Sequence, residues 1–88
     1  MVSKAEFKKA VERLAAEINV KPKQIRMREM RSKLGSCSKG KVLTFAMSAL
    51  NLEGKERRQL ILHELLHLRY KNHGKMFKTL LKTYFEVK

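Results

Sequence analysis

The chain has 88 residues and a formal net charge of +13, with 21 Lys and Arg against eight acidic residues, all of them Glu. That length makes one domain, residues 1–88, with a small core, and the single cysteine, Cys37, excludes an intramolecular disulfide and fits a reducing cytoplasm. The charged first nine residues lead into no apolar signal region, and no run of about 18 apolar residues occurs, so neither export nor a transmembrane helix is expected.

Ser3-Lys4-Ala5-Glu6 has the form of a capping box, with Ser3 as N-cap and Glu6 at N3. Phe7, Val11, Leu14 and Ile18 follow at helical spacing, which predicts a helix over about 4–18 with one apolar stripe. Lys21-Pro22 is expected to break it. From Lys23 the period becomes two. Ile25 and Met27 alternate with Arg26 and Arg28, as in a strand with one buried and one basic face. Two further short strands are expected over 34–37 and 41–45, joined by a turn at Ser38-Lys39-Gly40. The three strands predict a small antiparallel sheet. Residues 51–54 are expected as a loop leading into a helix, with Asn51 as its N-cap. That helix is predicted over about 55–68, with Ile61, Leu65 and Leu68 facing the core. It should stop near 70–72, where Asn72 suits a left-handed turn. A last helix over about 75–84 should bury Met76, Phe77, Leu80, Leu81 and Tyr84.

The 55–68 helix carries the chemistry. All three histidines of the chain fall within His63-Glu64-Leu65-Leu66-His67-Leu68-Arg69-Tyr70-Lys71-Asn72-His73. The first five residues form HExxH. On a helix, positions i and i+4 lie one above the other, so His63 and His67 can address one metal ion. Glu64, one residue past the first ligand, can reach a metal-bound water without coordinating the metal. A catalytic zinc site takes three protein ligands and leaves a position to water, and His73 has the spacing of the third. Zinc would lower the pKa of that water, and Glu64 would act as general base. The rings need acceptors for their free N–H groups. With no Asp in the chain, backbone carbonyls or a Glu such as Glu29 must serve. Tyr70 is a candidate oxyanion stabiliser by proximity, weighed against an ordinary boundary aromatic. The histidine spacing equals that of HExxHxxGxxH metalloproteases, but Tyr70 stands where those have the turn glycine.

The segment before the helix completes a pattern. Arg31-Ser32-Lys33-Leu34-Gly35-Ser36-Cys37-Ser38, then a strand over 41–45, then His63-Glu64-Leu65-Leu66-His67-Leu68-Arg69 and Asn72-His73, resemble the YgjP-type zinc metallopeptidases, relatives of the SprT-like proteases. The resemblance spans about residues 22–81. It implies an α+β, minimal zincin-like domain: an N-terminal helix, a small three-stranded sheet, an HExxH active-site helix and a C-terminal helix. By residue matching it implies one Zn2+ held by His63, His67 and His73, with Glu64 catalytic. Leu34 replaces the family's Trp, and Ala46 its Asn, so the substrate cleft departs from the family more than the metal residues do. Cys37, in the matching Gly-Ser-Cys-Ser segment, is either a small buried strand residue or a fourth ligand.

The function implied is that of a zinc-dependent hydrolase, a minimal metallopeptidase acting on polypeptide. An exposed sheet edge would align an extended substrate by strand addition. The uneven charge supports a second reading. Residues 21–41 carry +7 and 69–88 carry +5, while 42–68 are neutral. Such a field favours a polyanion. The alternative is therefore a basic module that contacts DNA or RNA without sequence preference, through Arg26, Arg28, Lys39, Lys41, Lys75, Lys78 and Lys82. In it the metal is structural, or the peptidase acts on DNA-bound proteins, as the SprT-like resemblance implies. Hydrolysis of a phosphate-containing small molecule is less favoured, for want of any Asp or Gly-rich phosphate loop.

Overall fold

The computed structural model describes residues 2–38, 40–70 and 74–86, with side chains as far as 83. Helix α1 spans Lys4–Glu17. Ser3 caps it: its Oγ accepts from the Glu6 backbone N–H at 3.1 Å and donates to Glu6 Oε1 at 3.3 Å. The acid thus answers the hydroxyl rather than the N-cap backbone. Phe7, Val11, Leu14 and Ile18 are all buried, as the spacing requires.

Pro22 does not end this helix. Asn19 does, by taking a left-handed conformation with φ 58°. Val20 N–H then donates to Ala15 O at 2.9 Å and Asn19 N–H to Ala16 O at 3.3 Å. This is the paired 6→1 and 5→2 bonding of a Schellman motif, with Asn in the place glycine usually takes.

Strands β1 (Gln24–Arg28), β2 (Gly35–Cys37) and β3 (Val42–Ala46) form one sheet in the order β1-β3-β2. β2 is antiparallel to β3, with Ser36 opposite Thr44. β1 is parallel to β3, with Arg26 opposite Thr44. The sheet is therefore mixed rather than antiparallel throughout. The sequence explains the order once the strands are compared. β3 is the most apolar strand, with Leu43 and Phe45 fully buried, and it takes the centre with a partner on each side. β1 carries a polar side chain at every second position, Gln24, Arg26 and Arg28, and β2 is three residues long; both suit edges. The β2–β3 turn closes through Lys41 N–H to Ser38 O at 3.1 Å. Its left-handed residue is Lys41, with φ 61°, and no described glycine has a positive φ.

A 3-10 turn over Met47–Asn51 follows, so Asn51 ends that turn rather than capping the next helix. Helix α2 spans Gly54–Leu66 with Glu53 at its N-cap. It packs against α1, α3 and β2. Ile61, Leu62, Leu65 and Leu66 are buried, a wider arc than a single stripe, because α2 has neighbours on several sides. It ends at Leu66, earlier than expected, in a turn closed by Tyr70 N–H to Leu66 O at 2.8 Å. The turn expected at Asn72 lies outside the described residues. Helix α3 spans Lys75–Glu86. Phe77 is buried and Leu80 and Leu81 are half-buried, but Met76 is 59% exposed and faces solvent. The described part of α3 docks a narrow stripe of Phe77, Leu80 and Leu81, and Met76 falls beside that stripe. Tyr84's side chain lies outside the described residues.

Candidate metal centre

His63 and Glu64 sit on the last turn of α2 and His67 is its C-cap, and the apolar arc holds the helix against α1 and the sheet. His63 Nε2 and His67 Nε2 are 3.3 Å apart. Two nitrogens bound to a tetrahedral zinc at about 2.0–2.1 Å stand about 3.3–3.4 Å apart. The pair therefore has the spacing of two ligands of one ion. The tautomer agrees. His67 Nδ1 lies 3.2 Å from the Tyr70 carbonyl oxygen, which can only accept. Nδ1 thus carries the proton, and Nε2 of the neutral ring offers its lone pair towards His63.

Phe77 of α3 packs against both rings. Its centroid is 5.2 Å from that of His63, at 80°, and 4.8 Å from that of His67, at 37°. The residue that sequence spacing assigned to the core also fixes the imidazoles. Tyr70 contributes its backbone carbonyl, while its ring is half-buried against the core. That carbonyl, and not the exposed Glu29, is the acceptor for His67. The ring spacing in the sequence carried no sign of either role.

Among the described residues Glu64 is the one charged side chain in the core, 6% exposed. Its carboxylate accepts no hydrogen bond from the described residues. Loss of solvation pushes its pKa up to about 7, and the Lys33 ammonium pulls the other way. Room for it comes from Gly35 on β2. A Cβ there would lie 3.1 Å from Glu64 Cγ and 3.3 Å from Glu64 Oε2. The signal for this was a glycine inside a strand, which marks close approach.

Glu64, His63 and His67 open on a cleft of about 520 Å³, whose other wall is Lys33, Gly35, Ser36, Cys37 and Lys41. Cys37 is half-buried, and its thiol lies 3.6 Å from Ser38 O. Burial first, and the Glu64 carboxylate second, push that thiol's pKa up, which favours the protonated form over a thiolate ligand. Among the described residues no group of three or more His, Cys, Asp or Glu is placed to hold a metal ion. The third expected ligand, His73, lies outside the described residues.

The expected nucleic-acid residues are dispersed. Arg26 and Arg28 are exposed on edge strand β1, and Lys75, Lys78 and Lys82 are exposed on α3. Lys41 lines the cleft, and Lys39 lies outside the described residues.

The fold has counterparts among metallopeptidases. The zymogen of jannalysin, a metallopeptidase of Methanocaldococcus jannaschii, superposes with a TM-score of 0.81 at 30% identity, over 92% of this chain and 83% of that one. The zymogen of abylysin, from Pyrococcus abyssi, superposes with a TM-score of 0.79 at 23% identity, over 91% and 80%. No curated protein sequence is similar enough to count as a match. The model of the YgjP-like metallopeptidase domain matches residues 2–87, and the chain belongs to that family. It is accordingly a hydrolase of the metallopeptidase class, with a polypeptide substrate and a catalytic metal. No helix among the described residues is long and apolar enough to cross a membrane.

Proposed function

We propose that the protein is a zinc-dependent peptidase in which His63, His67 and His73 hold one zinc ion per chain and Glu64 is the general base. The observation that carries this reading is the Nε2 pair at 3.3 Å beside a buried carboxylate with no hydrogen-bond donor among the described residues. A structural histidine pair has no need of such an acid. Zinc, when bound, supplies the Lewis acidity that makes water nucleophilic near neutral pH. Glu64 takes the proton from the attacking water and passes it to the leaving amine nitrogen. Burial raises the proton affinity of this carboxyl in the metal-free protein, the direction a general base needs. Tyr70 O holds His67 in the tautomer that presents Nε2, and Phe77 limits how far either ring can turn. β2, an edge strand on the cleft wall, can pair with an extended substrate chain.

Two variants test this reading. His67→Ala should lose stoichiometric zinc by metal analysis. Glu64→Gln should keep zinc and lose about 10²–10⁴-fold in turnover of an unfolded protein substrate, the usual cost of removing a general base. Unchanged turnover in Glu64→Gln with zinc retained refutes the assignment.

A second reading concerns the surface rather than the cleft. Arg26 and Arg28 both point outward from an edge strand on a chain of net charge +13, which supports weak, sequence-independent contact with DNA or RNA. Binding to a random duplex that weakens steeply with salt, and weakens further in Arg26→Ala/Arg28→Ala, is the expected result. No binding at low salt rules it out.

A further inference from the structure

The proposed reaction leaves two features of the site unused. Lys33 and Lys41 are exposed on the cleft wall, and neither is in a salt bridge within the described residues. Among the described residues Glu64 is the only acidic side chain lining that cleft. On the other side of Glu64 lies a recess of about 380 Å³ walled by Leu34, Leu52 and Leu60, with Glu56 and Gln59 completing its lining. Leu34 is 42% exposed there, an apolar side chain left in water beside the site. The cleft and the recess share Gly35, His63 and Glu64, so they meet at the proposed reacting centre.

A chain whose scissile amide lies over Glu64 therefore passes through two different surroundings. Resting on the peptidase reading above, we propose that the substrates are polypeptides with an Asp or Glu side chain on one side of the scissile bond and an aliphatic side chain on the other. Lys33 and Lys41 select the acidic flank. Their ammonium groups are point charges on flexible stems, which accept a carboxylate without demanding one geometry. Leu34, Leu52 and Leu60 take the aliphatic flank. Glu56 repels an acid placed on that side, which fixes the order of the two flanks. The cleft favours a peptide over a nucleic acid, because among the described residues no Phe, Tyr or Trp lines it on which a base could stack, and its two imidazoles are the proposed metal ligands.

The test uses three fluorescein-labelled peptides of equal length. One carries Glu-Glu on one flank and Leu on the other, one Lys-Lys and Leu, and one Glu-Glu and Ser. Binding is measured by anisotropy on the zinc-loaded Glu64→Gln protein, and cleavage on the wild type. The Glu-Glu/Leu peptide should bind about tenfold more tightly than the Lys-Lys/Leu peptide at moderate salt, the size expected when two exposed charges each contribute modestly. Lys33→Glu/Lys41→Glu should remove that preference. Lys8→Glu/Lys9→Glu makes the same change in net charge on the exposed side of α1 and should keep it. Leu34→Ser should erase the gain of Leu over Ser. If the double cleft variant fails to fold, Lys33→Gln and Lys41→Gln singly should each reduce the preference. Equal binding of the acidic and basic peptides overturns the proposal, as does equal loss in the α1 control. So does a single-stranded DNA oligomer that displaces the acidic peptide and depends on the same two lysines. Selective binding without cleavage by the wild type overturns the peptidase reading and leaves the selectivity standing.

Discussion

A methyl group at position 35 would stand 3.1 Å from Glu64 Cγ and 3.2 Å from Phe45 Cδ1, and Phe45 is fully buried. Neither neighbour can retreat cheaply. Gly35→Ala should cost about 1–3 kcal/mol of stability, as overpacking does, and lower turnover by moving the carboxylate. Thermal melting and kcat would show both; an unchanged kcat means Glu64 has slack. Glu64 also sets a pH dependence. In the metal-free protein its pKa is raised to about 7 from 4.5, so the folded state holds the proton longer than the unfolded state does. Stability from this group is greatest below pH 4.5, falls as pH rises towards 7, and is flat above. The difference in stability between wild type and Glu64→Gln should follow that window, measured in chelator, where shared histidine titration cancels. At this scale HExxH was legible because two imidazoles on one helical face, with the carboxylate one residue on, follow from i, i+4 geometry alone. Gly35 was not, since which side chain approaches a strand glycine depends on tertiary packing. The carbonyl of Tyr70 was hidden for the same reason: backbone atoms leave no residue type to read.

Elements declared themselves where a local rule governed them. Ser3 and the four apolar residues after it located α1, and the Ile25/Met27 alternation located β1 with its arginines outward. What escaped was decided by competition between elements. The parallel pairing of β1 with β3 followed from which strand most needed the centre, a comparison no single window contains. The stop of α1 shows a nearer miss. Pro22 is the louder signal, but Asn19 accepts the left-handed conformation first. Asn19→Ala should therefore destabilise by about 1–2 kcal/mol, the cost of a side chain less suited to that region, while Asn19→Gly should be neutral or stabilising. Denaturant midpoints decide it. Equal loss in both variants would point instead to the Arg69 guanidinium, which donates to Asn19 O at 2.8 Å and ties the end of α1 to the turn after α2.

For the molecule as a whole, the core is small, and among the described side chains of α3 Phe77 is the one fully buried in it. That side chain meets both histidines. Phe77→Ala should cost about 3–5 kcal/mol by cavity formation and should also weaken zinc binding, because the rings lose what limits their rotation. Conversely, an ion held by the histidines stabilises the docked arrangement by mass action. Chelator should lower the melting temperature of the wild type and leave that of His63→Ala/His67→Ala unchanged; equal shifts would remove the link. The contact of one phenylalanine with two imidazoles thus has a consequence for the protein's lifetime. If the two imidazoles hold zinc as proposed, its loss frees them to turn against Phe77, and α3 separates from α2 more often. Each separation is an opportunity for a degrading protease, so chains without the ion should be cleared faster than loaded ones. The population that persists would then be enriched in molecules able to work, with no regulator involved beyond the packing of three rings.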